Sequence, residues 1–318
     1  MNKNYSKRML FNFAIMLFFG VFFLTGTFND EDIASSIFSP DNLPVKIITS
    51  TGIYPFFASY VFFLGALAEQ ESHSGKNKPV RVLMSTICVV SAILVGFIGS
   101  VVFFDVDCLG TIFPSLSTNM PVIAVGSLIG MYPLFFLGYH LAGKSDDKLL
   151  LKKLKCIVLI MLMAFIAMQG LKSLFHRPRY RTVVLGYEGI GFVPWYKPFH
   201  GVSEFVETLG IRKGEFRSFP SGHGVLSISM VYVLESLTWF FPKLKNRELV
   251  LCLVGFLFGT TIMLTRMILG AHYLSDVSAG AMIGTLLSFA NTFLQHRIAM
   301  KSVKTEIKEE EYLPDMVL

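Results

Sequence analysis

Eight long apolar stretches constrain the fold of this chain more than any other feature of its sequence. A helix needs about 20 predominantly apolar residues to cross a bilayer. Stretches of that length lie at residues 9–28, 47–67, 82–104, 121–143, 156–175, 223–241, 249–270 and 276–296. The chain is 53% hydrophobic and only 16% charged, whereas soluble domains are about a quarter charged. The sequence therefore predicts an all-α fold, a polytopic membrane bundle of about eight transmembrane helices.

The lysines and arginines predict how this bundle is oriented. With the N-terminus inside, most of the 28 basic residues fall in loops on the cytoplasmic side, as the positive-inside rule requires. An even number of spans then places both termini in the cytoplasm. The net charge of +6 is explained by these loops, and no nucleic-acid signature accompanies it, so no nucleic-acid partner is expected. The exception is the long outer loop 176–222, which carries basic residues on the wrong side of the membrane: Arg177, Arg179, Arg181, Lys197, Arg212, Lys213 and Arg217.

Three polar clusters fall on the outer side in this topology. The first, KSLFHRPRYR at 172–181, ends the fifth span, and the second, PSGH at 220–223, begins the sixth. The third, RMILGAHYLSD at 266–276, joins the seventh span to the eighth. Their convergence follows from the topology and predicts one site at the outer surface.

Two kinds of anion-binding group occur in these clusters. Lys172, Arg179 and Arg266 are fixed cations, and the planar guanidinium suits phosphate. Ser221 and Gly222 stand where a helix is expected to begin, so their backbone N–H groups are predicted to be free for an anion.

Two histidines and a carboxylate add the groups for chemistry. His223 and His272 can act near neutral pH as nucleophile or proton donor. Asp276 follows His272 by four residues, which on a helix puts both side chains on one face, where a carboxylate can orient an imidazole. No metal-ligand spacing is present. These residues predict phosphoryl transfer without a metal or cofactor.

The clusters together resemble the signature of the type 2 phosphatidic acid phosphatase superfamily, whose pattern is K-x6-RP, PSGH and SR-x5-H-x3-D. The second motif is intact at 220–223, and the third has Thr265 where serine is usual. The first motif departs from the pattern, since Lys172-x6-Arg179 is followed by Tyr180.

A second register is possible for the first motif, because Arg177 and Pro178 also read RP. Seven residues are about two helical turns, which favours Arg179 on the same face as Lys172. Pro178 weakens that argument, since it biases the preceding residue away from helix. Both registers stay open from the sequence.

The resemblance implies a six-helix core and a role for each matching residue. His272 would attack phosphorus, Asp276 would hold His272, and His223 would protonate the leaving oxygen and then activate water. The phosphate would be held by Lys172, Arg179, Ser221, Gly222 and Arg266. The domain division expected is an N-terminal two-helix addition at 1–80, the phosphatase core at 81–298 and a cytoplasmic tail at 299–318.

The expected function is hydrolysis of a lipid phosphate or pyrophosphate at the non-cytoplasmic face of the cell membrane through a phosphohistidine, with lipids as the partners. Undecaprenyl pyrophosphate, phosphatidic acid and phosphatidylglycerophosphate are all compatible substrates, and the sequence fixes neither the lipid nor the oligomeric state. Two alternatives are a phosphotransferase on the same scaffold, with loop 180–219 shaping an acceptor site, and a non-catalytic lipid-binding or transport protein.

Overall fold

The computed structural model describes residues 3–172 and 174–312, with side chains for 4–172 and 174–302. The chain is 77% helical, with no strand in these ranges, which confirms the all-α helical bundle. The helices are α1 (Lys3–Ile37), α2 (Leu43–Thr51), α3 (Tyr54–Ser72), α4 (Lys78–Phe104), α5 (Met120–Gly126), α6 (Tyr132–Gly143), α7 (Leu150–Lys172), α8 (Tyr180–Val183), α9 (Val202–Leu209), α10 (Gly222–Ile228), α11 (Met230–Ser236), α12 (Glu248–Ile268) and α13 (Leu274–Tyr312).

Seven helical segments in the described residues are long and apolar enough to cross a membrane. The protein is therefore a multi-pass membrane protein by its helices. The expected second span is α2 and α3 together, joined by a tight turn at Gly52. The expected fourth span is α5 and α6, joined by one π-helical turn at Ser127–Met131.

The expected sixth span, 223–241, is not among the seven long apolar helices of the described residues. The segment consists of α10, α11 and a 3-10 turn at Leu237–Trp239. Its first two pieces are almost wholly buried, and they carry Ser227, Ser229 and Glu235. Helical hydrogen bonds continue through Ser229, whose N–H donates to the Val225 carbonyl and whose carbonyl accepts from Val233. Polar groups at membrane depth are tolerated where protein surrounds them, as it does here.

The first helix packs along α13 and closes the bundle around α10 to α12. Ile15 and Phe19 of α1 join a buried cluster with Ile228 and Val277. Arg8 of α1, which is partly buried, forms an ion pair with the buried Glu235 of α11. The residues expected to form an N-terminal addition thus contribute directly to the packing of the core.

Glycines let the helices approach closely where the site is built. A Cβ on Gly280 of α13 would lie 2.4 Å from the Ser221 carbonyl oxygen, and one on Gly284 would lie 2.8 Å from that of Val225. Contacts this close exclude any side chain. Small residues at such spacing are typical of membrane helix interfaces, and here they press α13 against α10 at the backbone.

The long loop 174–221 folds back over one end of the bundle. Phe199, Phe205 and Phe216 stack on one another with centroids 5.6–6.0 Å apart. Trp195 stacks on Phe219 at 5.2 Å and donates a hydrogen bond to Thr27 of α1. Most of its aromatic residues are therefore used in packing.

Helix α13 continues beyond the last expected span. Its end at Tyr312 means that residues 299–312, predicted to be a tail, extend the same helix. The remainder of the predicted tail, 313–318, lies outside the described residues.

Candidate active site

The three clusters of the sequence meet at one end of the bundle. Lys172 ends α7, and a Cβ on Gly222 would lie 3.0 Å from its Nζ atom. The backbone N–H of Ser221 donates to the Asp276 carbonyl at 2.9 Å, which joins the second cluster to the third. The His223 and His272 rings lie 6.4 Å apart between centroids. Residues from Lys172 to Asp276, about a hundred positions apart, therefore surround one small volume.

His272 has one nitrogen engaged and the other without a partner. It lies in the link between α12 and α13 and is 1% exposed. Its Nδ1 lies 2.7 Å from the Ser218 carbonyl oxygen; because a carbonyl can only accept, Nδ1 carries the proton. The Nε2 atom has no hydrogen-bond partner among the described residues. Its lone pair is thus available to attack an electrophile.

Burial keeps this imidazole neutral. It lowers the pKa of His272 to about 3, against the opposing effect of Asp276, and the positive charge of Arg179 lowers it further. A neutral Nε2 is the nucleophilic form. His272 is therefore ready to react across the physiological pH range.

Asp276 holds His272 through an intermediate residue. Its Oδ2 lies 3.9 Å from His272 Nδ1, which is too long for a hydrogen bond. Helix α13 begins at Leu274, after His272, so the four-residue spacing does not put both side chains on one helical face. Asp276 instead accepts hydrogen bonds from the Ser218 hydroxyl at 2.5 Å and the Tyr273 N–H at 2.8 Å. The expectation that Asp276 binds His272 directly is corrected: Ser218 stands between them.

Arg177 holds neighbouring segments of the site together through its hydrogen bonds. Its guanidinium donates to Asp276 at 2.6 Å, Asp30 of α1 at 2.8 Å and the Val193 carbonyl at 2.8 Å. It is 2% exposed and lies 4.0 Å over the ring of Tyr273. Burial alone would lower the pKa of Arg177, but the two carboxylates outweigh burial and raise it. With its donors engaged, Arg177 braces the third cluster.

Arg179 faces the site beside Arg266. The two guanidinium groups are 3% and 1% exposed, and the Nε of each lacks a hydrogen-bond partner in the part of the chain that the structure describes. The helical argument that favoured Arg179 was nevertheless wrong in its premise. Helix α7 ends at Lys172, and 174–179 has no regular structure, so Arg179 reaches its place through an extended segment.

Arg179, Arg181 and Arg266 together bind a carboxylate, that of Asp107, which the sequence did not single out. Asp107 lies in the short loop after α4, and both of its oxygens accept from Arg179 at 2.7 Å. Arg181 donates to it at 2.9 Å, and Arg266 Nη2 lies 3.1 Å from it. Arg266 also donates to the Asp107 carbonyl at 2.6 Å. We call Arg179, Arg181 and Arg266 the arginine cluster; it is a built anion site.

Ser221 was expected to offer a free N–H to an anion, but it caps helix α10 with its side chain. Its side chain caps α10 by accepting from Gly224 N–H at 3.2 Å, and its own N–H is bonded to Asp276. The prediction of a free Ser221 N–H is therefore wrong. Gly222 and His223 stand in the first turn of α10, where helix geometry gives the backbone N–H groups no acceptor within the helix.

His223 is buried against elements far from it in sequence. Its Nε2 lies 3.6 Å from Cys108 Sγ, in the same loop as Asp107. A Cβ on Gly52, in the turn between α2 and α3, would lie 3.0 Å from its ring. His223 is thus enclosed by helices that precede the three clusters. None of the described His, Cys, Asp and Glu side chains form a group of three that could hold a metal ion.

Glu215 fixes the arginine-bearing loop and gives a testable pH dependence. It accepts from Arg181 at 2.6 and 2.8 Å and from Arg212 at 2.9 Å. Burial alone would raise its pKa, but the Arg181 hydrogen bond and the charges of Arg179 and Arg181 lower the pKa to about 2. This shift stabilises the fold above the unfolded value of about 4.5, and the stabilisation is lost as pH falls towards 2.

Glu215→Gln is therefore expected to lower stability at pH 7 by at most roughly 3 kcal/mol, with a difference from wild type that shrinks below about pH 4.5. Thermal unfolding in detergent at pH 7, 4.5 and 3 measures it. Glu204→Gln on exposed α9 is the control. A deficit that is equal at all three pH values would contradict the assignment.

Comparison with known proteins identifies the core of this arrangement. Residues 153–299 match the family model described as the PAP2 superfamily. The matched part runs from α7 into α13 and contains Lys172, Arg179, Ser221, Gly222, His223, Arg266, His272 and Asp276. Asp30 and Asp107 lie outside it. No curated protein and no solved structure matches the chain.

Proposed function

We propose, from the match of residues 153–299 to the PAP2 superfamily, that this chain is an integral membrane phosphatase acting on a lipid phosphate or pyrophosphate. The observation that carries the proposal is the pairing of two buried histidines with the arginine cluster. His272 offers a neutral, unpartnered Nε2, and the cluster already holds an anion. Nucleophile, second histidine and anion site are the groups that phosphoryl transfer requires.

The proposed reaction has two steps. His272 Nε2 attacks phosphorus, so that a P–N bond forms as the P–O bond to the lipid breaks, and His223 donates its proton to the departing oxygen. Neutral His223 then takes a proton from water as that water attacks phosphorus, and the P–N bond breaks to release inorganic phosphate. The overall change is a phosphomonoester plus water giving an alcohol plus phosphate.

The cations supply the electrostatic part. Charge builds on the equatorial oxygens during transfer, and donors fixed in advance stabilise it without reorganising. Arg179 and Arg266 are buried with unpartnered Nε atoms, and Lys172 approaches Gly222. Because fixed side chains carry this charge, the proposed reaction needs no metal ion.

The position of the site suits a substrate that stays in the membrane. The site lies where α7 and α12 end and where α10 and α13 begin, so a lipid can present its phosphate with its tail in the bilayer. We place this end at the non-cytoplasmic face with both termini inside, on the distribution of lysine and arginine between the loops.

A phosphate-release assay in detergent tests the function. The purified protein is given phosphatidic acid, phosphatidylglycerophosphate and undecaprenyl pyrophosphate, with and without EDTA, and His272→Asn controls for contaminating phosphatase. We expect release from at least one lipid that EDTA leaves unchanged. Lipid consumed without free phosphate would favour a phosphotransferase, and no consumption of any lipid would favour a binding or transport protein.

A further inference from the structure

The arginine cluster is occupied by a carboxylate of the chain, and this bears on which phosphate-containing lipids can bind there. A membrane surface is crowded with phosphodiester headgroups, each carrying one negative charge on phosphate, and basic sites near the surface attract such lipids. An arginine cluster open to this surface would be filled by them. In the structure it is filled by Asp107 of the chain itself.

Asp107 is well placed to compete with singly charged anions. Its carboxylate carries one charge, makes contacts of 2.7–3.1 Å with three arginines and is 17% exposed. A group tethered in the same chain competes at an effective concentration in the millimolar range or above. Its loop is held by a turn in which the Asp107 N–H donates to Asp105 Oδ1 at 2.9 Å. A monoanion from the membrane thus gains little by replacing it.

A terminal phosphate differs from both carboxylate and phosphodiester. It carries about −1.5 to −2 charges at pH 7 and offers three acceptor oxygens, and Coulomb attraction grows in proportion to charge. Arg179, Arg181 and Arg266 present more donors than a carboxylate can use, since the Nε atoms of Arg179 and Arg266 are left without partners. A phosphomonoester or diphosphate end can therefore displace Asp107.

We propose that Asp107 is a specificity-determining residue: it occupies the arginine cluster in the free protein and yields only to a terminal phosphate, so that phosphodiester lipids are excluded. This inference rests on the proposed function and names the substrate class of that site. The same loop brings Cys108 to within 3.6 Å of His223 Nε2. Displacing Asp107 therefore also uncovers the histidine that would protonate the leaving oxygen.

The test compares Asp107→Asn with Asp105→Asn. Asp105 is exposed, and its side chain accepts a hydrogen bond from the Asp107 N–H. Asparagine keeps that acceptor, so the control removes an equal charge without changing a contact to an arginine. The probes are inorganic phosphate and dimethyl phosphate, which share a core and differ in charge. Binding is read as the rise in melting temperature with probe concentration at pH 8.

We expect inorganic phosphate, but not dimethyl phosphate, to protect the wild type and Asp105→Asn. In Asp107→Asn, half-maximal protection by phosphate should need about tenfold less probe, as removal of a competitor worth about 1.4 kcal/mol gives, and dimethyl phosphate should begin to protect. For turnover, the KM for the lipid phosphate should fall, and phosphatidylglycerol in mixed micelles should become an inhibitor.

Unchanged phosphate binding in Asp107→Asn would overturn the proposal, and so would a loss of kcat without tighter phosphate binding. The wild-type measurement tests the proposal even if the variant does not fold. Equal protection of the wild type by phosphate and dimethyl phosphate would also overturn the proposal. Failure of the proposed function is a separate result. If no lipid releases phosphate, the binding of the two probes can still be measured and compared.

Discussion

Replacing His272 by alanine is expected to reduce phosphate release by about 10⁴-fold or more. The proposed route passes through a bond to Nε2 of this residue, and a buried alanine offers nothing in its place. Steady-state phosphate release from the lipid that the wild type turns over best measures the loss.

His223→Ala should behave differently. Loss of a general acid–base group costs about 10²–10⁴-fold, but it leaves the nucleophile in place. With a good leaving group, His223→Ala should release the alcohol in a burst and accumulate an acid-labile phosphohistidine that is absent from His272→Ala. His200→Ala, in the exposed part of the same loop, is the matched control and should retain wild-type rates. Near-normal turnover in His272→Ala would refute the covalent route.

Replacing Arg177 by methionine is expected to have the largest effect on stability. Arg177 lies between two buried carboxylates, Asp30 and Asp276. Removing one partner of a buried ion pair costs about 3–5 kcal/mol, because an uncompensated charge is left behind. For a chain of this size that corresponds to a fall in melting temperature of roughly 10 °C.

The double variant Arg177→Met/Asp30→Asn should recover part of that loss, because it removes one of the two stranded charges. Arg179→Met is the matched comparison two residues away. It should lower kcat/KM by about 10²-fold or more while lowering the melting temperature far less, because its carboxylate partner Asp107 is in a partly exposed loop. A larger loss of stability in Arg179→Met than in Arg177→Met would contradict the assignment of Arg177 to structural support and of Arg179 to phosphate binding.

The sequence predicts the features that depend on local composition and spacing. Apolar length predicted eight spans, and seven of them are long apolar helices in the described residues. The other, 223–241, is helical and buried among protein, which a hydropathy pattern does not show. The motif residues meet at one end because span ends do. Their relations were less predictable: both spacing arguments assumed continuous helices, but Arg179 and His272 lie outside α7 and α13.

Ser218, Asp107 and Asp30 were missed because their roles come from distant contacts. Asp107 and Arg179 are 72 positions apart, and no local pattern marks a carboxylate that will fold into an arginine cluster. Ser218 stood beside the PSGH motif, and only the tertiary structure shows that its carbonyl and hydroxyl link His272 to Asp276. A single sequence does not show which charged residues will pair when they are far apart along the chain.

The acidic side chain in the expected sixth span has a consequence for how the protein is assembled in the bilayer. This segment carries several serines and Glu235, the next-to-last residue of α11, and an unpaired carboxylate within a membrane segment is costly. Its charge is met by Arg8 of the first helix, which is synthesised more than two hundred residues earlier. Insertion of the sixth span is therefore expected to depend on prior insertion of the first helix, which supplies the partner for the segment that begins with the PSGH turn.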